Sequence, residues 1–169
     1  MCGICGIVDF SGQNGFARET VEKMTRSMTH RGPDDEGFYF SESGAKAGFG
    51  FRRLSIIDLS SGHQPMSFNG KTIVFNGEIY NYRELRAECE SRGHRFTTQS
   101  DTEVLLHLYD ELGEKCLEKL NGMFAFAVWD EKKQELFLAR DRFGIKPLFY
   151  SHSNGKIVFG SEMKTVWLS

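Results

Sequence analysis

The segment Ala125-Phe126-Ala127-Val128-Trp129 is apolar at every position. A half-buried strand alternates apolar and polar residues, so an unbroken apolar run indicates a strand that is buried on both faces. Neighbouring strands follow one another through short turns, of which Asn69-Gly70 and Asn154-Gly155 are typical hairpin turns. Short connections favour antiparallel pairing. Two stacked, mostly antiparallel sheets flanked by helices would bury such a strand on both sides, and we therefore predict an α+β fold.

The rest of the chain predicts one domain over residues 1–169. Helical spacing of apolar residues predicts helices over 18–29, 82–92 and from Ser100 onward, where Ser100-Asp101-Thr102-Glu103 fits a capping box. Shorter helices are predicted around 115–120 and from 161. Strands are predicted over 4–10, 38–40, 47–51, 71–75, 124–130, 135–140, 148–152 and 156–159. We expect Asn76-Gly77-Glu78 to end the strand over 71–75.

The composition is that of an ordinary globular domain, with 40% hydrophobic and 26% charged residues. The net charge of −2 gives no sign of a surface for nucleic acid. Apolar runs stay well short of the roughly 20 residues of a membrane span, and the N-terminus lacks the apolar region of a signal peptide. We therefore expect a cytoplasmic protein without membrane contact.

The cysteines Cys2 and Cys5 form a C-x-x-C pair, which is compatible with half of a zinc site or with a redox pair. A zinc site needs further ligands, and Cys89 and Cys116 are far apart with no histidine at ligand spacing. We predict no metal site. Cys5, Cys89 and Cys116 are expected to be small buried apolar residues.

The start of the chain, Met1-Cys2-Gly3, places a small residue after the initiator methionine. Aminopeptidases remove the methionine in that situation, and we expect Cys2 to become the first residue. It would then carry a thiol and a free α-amine. Because these two groups titrate within about one pH unit of each other, the amine can accept the thiol proton near neutral pH. A retained Met1 would convert this amine into an amide and remove the base.

Five further positions complement a cysteine nucleophile. Asn76-Gly77 offers a side-chain amide and an adjacent backbone N–H for an oxyanion, although a plain β-turn explains the same pair. Arg53 can bind a carboxylate, or it can be a surface residue at a strand end. Glu78 and Asp101 can hold an ammonium group, although Asp101 also suits a helix N-terminus. Together these groups complement a free α-amino acid with a reactive side-chain acyl group.

Ordered motifs along almost the whole chain resemble class II glutamine amidotransferase domains, and most closely the glutaminase domain of glutamine-hydrolysing asparagine synthetases. The motifs are Cys2-Gly3-Ile4, His30-Arg31-Gly32-Pro33-Asp34, Arg53-Leu54-Ser55-Ile56, Asn76-Gly77-Glu78-Ile79-Tyr80-Asn81, Ser100-Asp101-Thr102-Glu103, Gly122-Met123-Phe124-Ala125-Phe126, Arg140-Asp141-Arg142-Phe143-Gly144-Ile145-Lys146-Pro147-Leu148 and Ser161-Glu162-Met163-Lys164.

The resemblance implies an N-terminal-nucleophile hydrolase fold, which is a four-layer αββα sandwich. It also implies that Cys2 attacks the glutamine side-chain amide and that its own α-amine acts as base. Asn76 and the Gly77 N–H would form the oxyanion hole. The implied contacts to the substrate come from Arg53 for the α-carboxylate, from Glu78 and Asp101 for the α-ammonium, and from the backbone of Leu54, Ser55, Ile56 and Ile57 along the pocket.

The implied partners are L-glutamine, an ATP-dependent synthetase domain or subunit, and a second copy of the chain in a homodimer. The glutaminase reaction needs no metal or organic cofactor, and ATP and Mg²⁺ are expected only for the synthetase domain, which in the family aminates aspartate. Asparagine synthetases continue past the Ser-Glu-Met-Lys motif into that domain. This chain has no Ser-Gly-Gly-x-Asp loop for ATP. A catalytically silent docking or regulatory domain and a zinc or redox module are the alternative functions.

Overall fold

A computed structural model describes residues 1–12, 15–41, 46–54 and 62–169. Two antiparallel sheets carry the architecture. The first sheet has the order β2-β3-β1-β9-β8, with β1 Gly3–Asp9, β2 Asp35–Phe40, β3 Lys46–Arg53, β8 Phe149–Ser153 and β9 Lys156–Gly160. The second has the order β4-β5-β6-β7, with β4 Met66–Phe68, β5 Lys71–Ile79, β6 Gly122–Asp130 and β7 Glu135–Arg140.

Helices cover the outer face of each sheet. They are α1 Arg18–Arg26, α2 Tyr82–Ser91, α3 Asp101–Leu112 and α4 Met163–Trp167, with a 3₁₀ segment over Gly113–Glu118. Helices α1 and α4 contribute to an apolar cluster with the first sheet, and α2 and α3 contribute to one with the second. A third cluster lies between the two sheets. The predicted α+β, four-layer αββα sandwich is therefore confirmed.

Strand β6 shows why the two sheets stack. Ala125, Ala127 and Trp129 pack into the cluster between the sheets, whereas Phe126 and Val128 pack against the helices. All five side chains are fully buried. Successive residues of a strand point to opposite faces, so a strand covered by a sheet on one side and by helices on the other must be apolar throughout.

Strand β5 is longer than its sequence predicts. Asn76, Gly77 and Glu78 continue the ladder with β6 as far as Ile79, so the expected strand end after Phe75 is wrong, and so is the plain-turn alternative for Asn76-Gly77. The glycine is needed for close approach, because a Cβ on Gly77 would lie 2.3 Å from the Met123 carbonyl oxygen. Pairing with β6 overrides the local turn preference of Asn-Gly.

The capping box before α3 is only half formed. The Ser100 side chain accepts a hydrogen bond from the Glu103 N–H at 3.2 Å, as expected. The Glu103 carboxylate does not return to Ser100. It accepts from the Thr97 N–H at 2.7 Å and the Thr98 N–H at 2.6 Å instead, because the loop before the helix presents these closer donors.

The two thiols of the C-x-x-C pair lie in different layers. Cys2 packs at the edge of the cluster between the sheets, and Cys5 is buried on the opposite face of β1 beneath α1, 3.3 Å from the Thr25 hydroxyl. Burial raises the pKa of Cys5 to about 12. The pair is therefore not arranged to share one metal ion. No helix in the described ranges is long and apolar enough to cross a membrane.

Candidate active site

A cavity of about 300 Å³ opens where the start of β1, the end of β3 and the end of β5 meet. Its lining brings together seven residues that the sequence predicted for the site: Cys2, Arg53, Leu54, Asn76, Gly77, Glu78 and Asp101. The three other predicted residues, Ser55, Ile56 and Ile57, lie outside the described residues. Met1, the residue before Cys2, also lines the cavity.

Cys2 is held by its backbone rather than by its side chain. The Arg31 Nε donates to the Cys2 carbonyl oxygen at 3.0 Å. Two residues later, the Ile4 N–H donates to the Ser161 Oγ at 3.0 Å, and the Ser161 N–H donates to the Ile4 carbonyl at 2.9 Å. Cys2 is only partly buried, and it lines the cavity. This arrangement fixes the start of β1 and leaves the thiol accessible.

The Glu162 carboxylate accepts hydrogen bonds from three neighbouring nitrogen-bearing side chains. It lies 2.8 Å from the His30 Nε2, 3.3 Å from the Arg31 Nη1 and 3.1 Å from the Lys164 Nζ. Partial burial by itself raises the pKa of Glu162, but the hydrogen bonds from His30, Lys164 and Arg31 outweigh it and lower the pKa. The carboxylate is therefore ionised at neutral pH, and it contacts the guanidinium that donates to the Cys2 carbonyl.

Asn76 presents a hydrogen-bond donor that the fold leaves unused. Its side chain is 1% exposed and lies on the same face of β5 as Val74, toward the other sheet. The Nδ2 has no hydrogen-bond partner in the described part of the chain. Leaving such a donor buried and unpaired costs about 1–3 kcal/mol. A ligand oxygen at this place would recover that cost.

The Gly77 N–H is a second unused donor, which follows from the alternation of the β5–β6 ladder. Phe124, the partner of Gly77, directs its N–H and C=O to Asp141 and thus away from β5. The N–H groups of Phe75, Gly77 and Ile79 consequently point away from β6. Gln64 Oε1 accepts from Phe75 at 2.6 Å and Asp101 Oδ2 accepts from Ile79 at 3.0 Å. Across the described ranges the Gly77 N–H, between them, has no partner.

Charged groups of both signs line the same cavity. Arg53 ends β3, and Asp101 opens α3 with its carboxylate anchored on the Ile79 N–H. Burial raises the pKa of Asp101, and the negative charge of Glu78 raises it further, although hydrogen bonds from Ile79 and Thr102 act in the opposite direction. A cation bound beside Glu78 and Asp101 would favour the ionised form of Asp101. The cavity therefore suits a ligand that carries a carboxylate and an ammonium group.

The structure adds residues that the sequence analysis did not assign to the site. Gln64 and Lys146 line the cavity and are almost fully buried. The backbone of Lys146 is fixed by Asp141 Oδ2, which accepts from its N–H at 3.0 Å, and by Arg140 Nε, which donates to its carbonyl at 2.6 Å. In the sequence, Arg31 and Glu162 stand out only as members of motifs. The motifs marked these residues, but their contacts join parts of the chain that are distant in sequence.

The chain is similar in sequence to curated proteins of known name. A search of curated proteins matches glutamine-hydrolysing asparagine synthetase 3 of Bacillus subtilis strain 168, which is 48% identical over 98% of this chain and 27% of the relative. Glutamine-hydrolysing asparagine synthetase B of Escherichia coli K12 is 42% identical over 98% of this chain and 30% of its own length. The chain thus spans about 27% of the length of the Bacillus relative.

Among solved structures, the glutamine phosphoribosylpyrophosphate amidotransferase from B. subtilis matches with a TM-score of 0.79 at 23% identity, over 99% of this chain and 43% of that chain. At this identity the match shows the same fold. A family model described as a glutamine amidotransferase domain matches residues 1–169. The chain belongs to the glutamine amidotransferase domain family.

Proposed function

We propose that this chain hydrolyses the side-chain amide of L-glutamine to glutamate and ammonia, with Cys2 as the nucleophile. The observation that carries this proposal is the pair of unused donors, Asn76 Nδ2 and the Gly77 N–H, on the cavity that Cys2 lines. Unpaired buried donors are costly in a folded protein, and an oxyanion hole is a site that requires them.

The first half of the reaction forms an acyl-enzyme. Removal of Met1 frees the α-amine of Cys2, which takes the thiol proton, directly or through a water molecule. The thiolate attacks the side-chain carbonyl carbon of glutamine, and the carbonyl oxygen becomes an oxyanion that accepts from Asn76 and Gly77. The C–N bond then breaks as the α-ammonium of Cys2 returns the proton to the leaving nitrogen. Ammonia departs, and a glutamyl thioester remains on Cys2.

The second half releases the product. The α-amine of Cys2 accepts a proton from a water molecule, which attacks the thioester carbonyl and forms a second oxyanion in the same hole. The C–S bond breaks, and the proton held by the α-ammonium passes to the thiolate, which restores the free thiol. The new carboxyl group loses its remaining proton to solvent, and glutamate leaves. All of these steps use groups of this chain and water, so the proposed glutaminase reaction needs no metal or organic cofactor.

Selection of free glutamine follows from the charges around the cavity. Arg53 would bind the α-carboxylate with its planar guanidinium, while Glu78 and Asp101 would bind the α-ammonium. Leu54 would line the side of the pocket, and the predicted contacts from Ser55, Ile56 and Ile57 remain part of the proposal. A glutamine residue within a peptide lacks both charged groups, and the site would therefore reject it.

The ammonia would be transferred to an acceptor, for which the family resemblance suggests aspartate. The relatives named as asparagine synthetases support this assignment, and the ATP and Mg²⁺ of that reaction would belong to an ATP-dependent synthetase domain or subunit. A homodimer is a further partner state that the resemblance suggests. Analytical ultracentrifugation, alone and with a synthetase chain, would test both associations.

The direct test is glutamate release from glutamine by the wild type and by the Cys2→Ala and Cys2→Ser variants. We expect both substitutions to abolish release. Cys116→Ala is the matched control, because Cys116 is buried in the helical layer away from the cavity and its loss should leave turnover intact. Undiminished release by Cys2→Ala would refute the proposal.

A further inference from the structure

Glu162 does not line the cavity, yet it is joined to the nucleophile through one side chain. We propose that Glu162 is a positioning residue for Cys2 that acts through Arg31. This inference rests on the proposed function, since it concerns how the nucleophile of that reaction is placed. Nothing in the local sequence around Glu162 indicates such a role, because its partner Arg31 lies 131 positions away.

The guanidinium of Arg31 forms the connection. Its Nε donates to the Cys2 carbonyl at 3.0 Å, and its Nη1 lies 3.3 Å from a Glu162 carboxylate oxygen. The guanidinium is planar and rigid, so a carboxylate that fixes one nitrogen also fixes the direction of the others. A change in the position of Glu162 is therefore transmitted to the backbone of Cys2.

The burial of Arg31 makes the charge of Glu162 necessary. The Arg31 side chain is 9% exposed, and its Nη2 is buried without a partner in the described part of the chain. A desolvated cation needs a counterion, and loss of that counterion leaves an uncompensated buried charge. Without the Glu162 charge, Arg31 would turn toward water and release the Cys2 carbonyl.

The residue before Glu162 holds the same strand. Ser161 exchanges two hydrogen bonds with Ile4, at 2.9 and 3.0 Å. Ser161 therefore holds Ile4 directly, while the next residue, Glu162, would hold Cys2 through Arg31. On its other side Glu162 lies 2.8 Å from the His30 ring. The Ser161–Glu162 pair thus forms a clamp on the start of β1, and Glu162 supplies its charged half.

Loss of the Glu162 charge should affect kcat and KM differently. Glu162 touches none of the groups that would bind glutamine, so KM should change by less than about twofold. A small displacement of a reacting group strongly lowers the rate, so displacement of Cys2 should lower kcat by about 10- to 100-fold. A residue with a general structural role would instead lower thermal stability without this split.

The test compares three variants: Glu162→Gln, Arg31→Met, and the double variant that carries both substitutions. Glu36→Gln is the matched control. Glu36 pairs with Arg52 at 2.8 Å, and Arg52 is also 9% exposed, but the Arg52 guanidinium donates to Gly32, Pro33 and Glu36 and not to Cys2. Steady-state glutaminase kinetics are measured together with hydrogen–deuterium exchange of the peptide that covers residues 1–7.

We expect Glu162→Gln to lower kcat, to leave KM within about twofold and to speed exchange of the N-terminal peptide, with no further loss when it is added to Arg31→Met. Glu36→Gln should change neither readout. Equal effects of the two Gln variants, or additive effects of Glu162→Gln and Arg31→Met, would overturn the inference. If the wild type does not hydrolyse glutamine, the proposed function fails, and the exchange data alone decide whether Glu162 holds Cys2.

Discussion

Replacement of Asn76 by alanine should separate catalysis from stability. In the folded chain the Asn76 Nδ2 is buried and has no partner in the described ranges, so its removal breaks no hydrogen bond. Deleting this unpaired donor relieves a desolvation cost of about 1–3 kcal/mol, while the lost packing of a small side chain costs a similar amount. The free energy of unfolding should therefore change by no more than about 1 kcal/mol, which for a domain of this size is a shift of about 2–4 °C in Tm.

The effect on turnover should be much larger. Removal of one oxyanion donor typically lowers kcat by about 10²- to 10³-fold, or about 2.7–4 kcal/mol of transition-state stabilisation. KM should change little, because the hydrogen bond from Asn76 becomes strong chiefly when negative charge develops on the carbonyl oxygen in the transition state. Glutamate release and thermal unfolding of Asn76→Ala are measured beside Asn121→Ala, whose side chain is exposed just before β6. A loss of stability that matches the loss of activity, or unchanged turnover, would refute this account of Asn76.

Three further predictions follow from the same cavity. Arg53→Ala should raise KM for glutamine with a smaller effect on kcat, and equal KM values for glutamine in Arg53→Ala and the wild type would remove Arg53 from carboxylate binding. Gly77→Ala should destabilise the fold by about 1–3 kcal/mol in chemical denaturation, because its Cβ would lie 2.3 Å from the Met123 carbonyl oxygen. If Gly77→Ala has the same free energy of unfolding as the wild type, β5 and β6 can separate at this point. Because the pKa of Asp101 is raised, the folded state holds the Asp101 proton more tightly than the unfolded chain does. The free energy of unfolding should therefore fall as pH rises from the usual aspartate range through the raised pKa. Asp101→Asn should therefore unfold at a higher temperature than the wild type at pH 7 but not at pH 3, while its KM for glutamine rises; a lower Tm at pH 7 would contradict this sign.

The layers of the fold were predictable because they depend on patterns that act over a few residues. The unbroken apolar run in β6 required cover on both faces, and short turns required antiparallel neighbours. The extent of β5 was not predictable in the same way. Asn76-Gly77 has the sequence of a turn, and only its ladder with Ala125 and Phe124 on β6 keeps it extended.

The residues of the site likewise include some that local sequence predicts and others that only the fold brings into place. The residues that would contact glutamine were identified from motifs and from their charge, and the cavity brings the described ones together. The residues that we propose to position the nucleophile, Arg31 and Glu162, contact each other across 131 positions of the chain, and no local pattern predicts this contact. Lys146 reaches the cavity because Arg140 and Asp141 shape the loop that carries it. Such long-range placement becomes visible only in three dimensions.

The central claim is that Cys2, with a free α-amine, carries the acyl group during glutamine hydrolysis. Mass spectrometry of the purified protein, mixed with glutamine and quenched in acid, tests it directly. We expect an N-terminal peptide that begins at Cys2 and carries a glutamyl adduct on that residue, and no adduct on Cys5, Cys89 or Cys116. Glutamate release by a protein that retains Met1 and forms no adduct on Cys2 would contradict the claim.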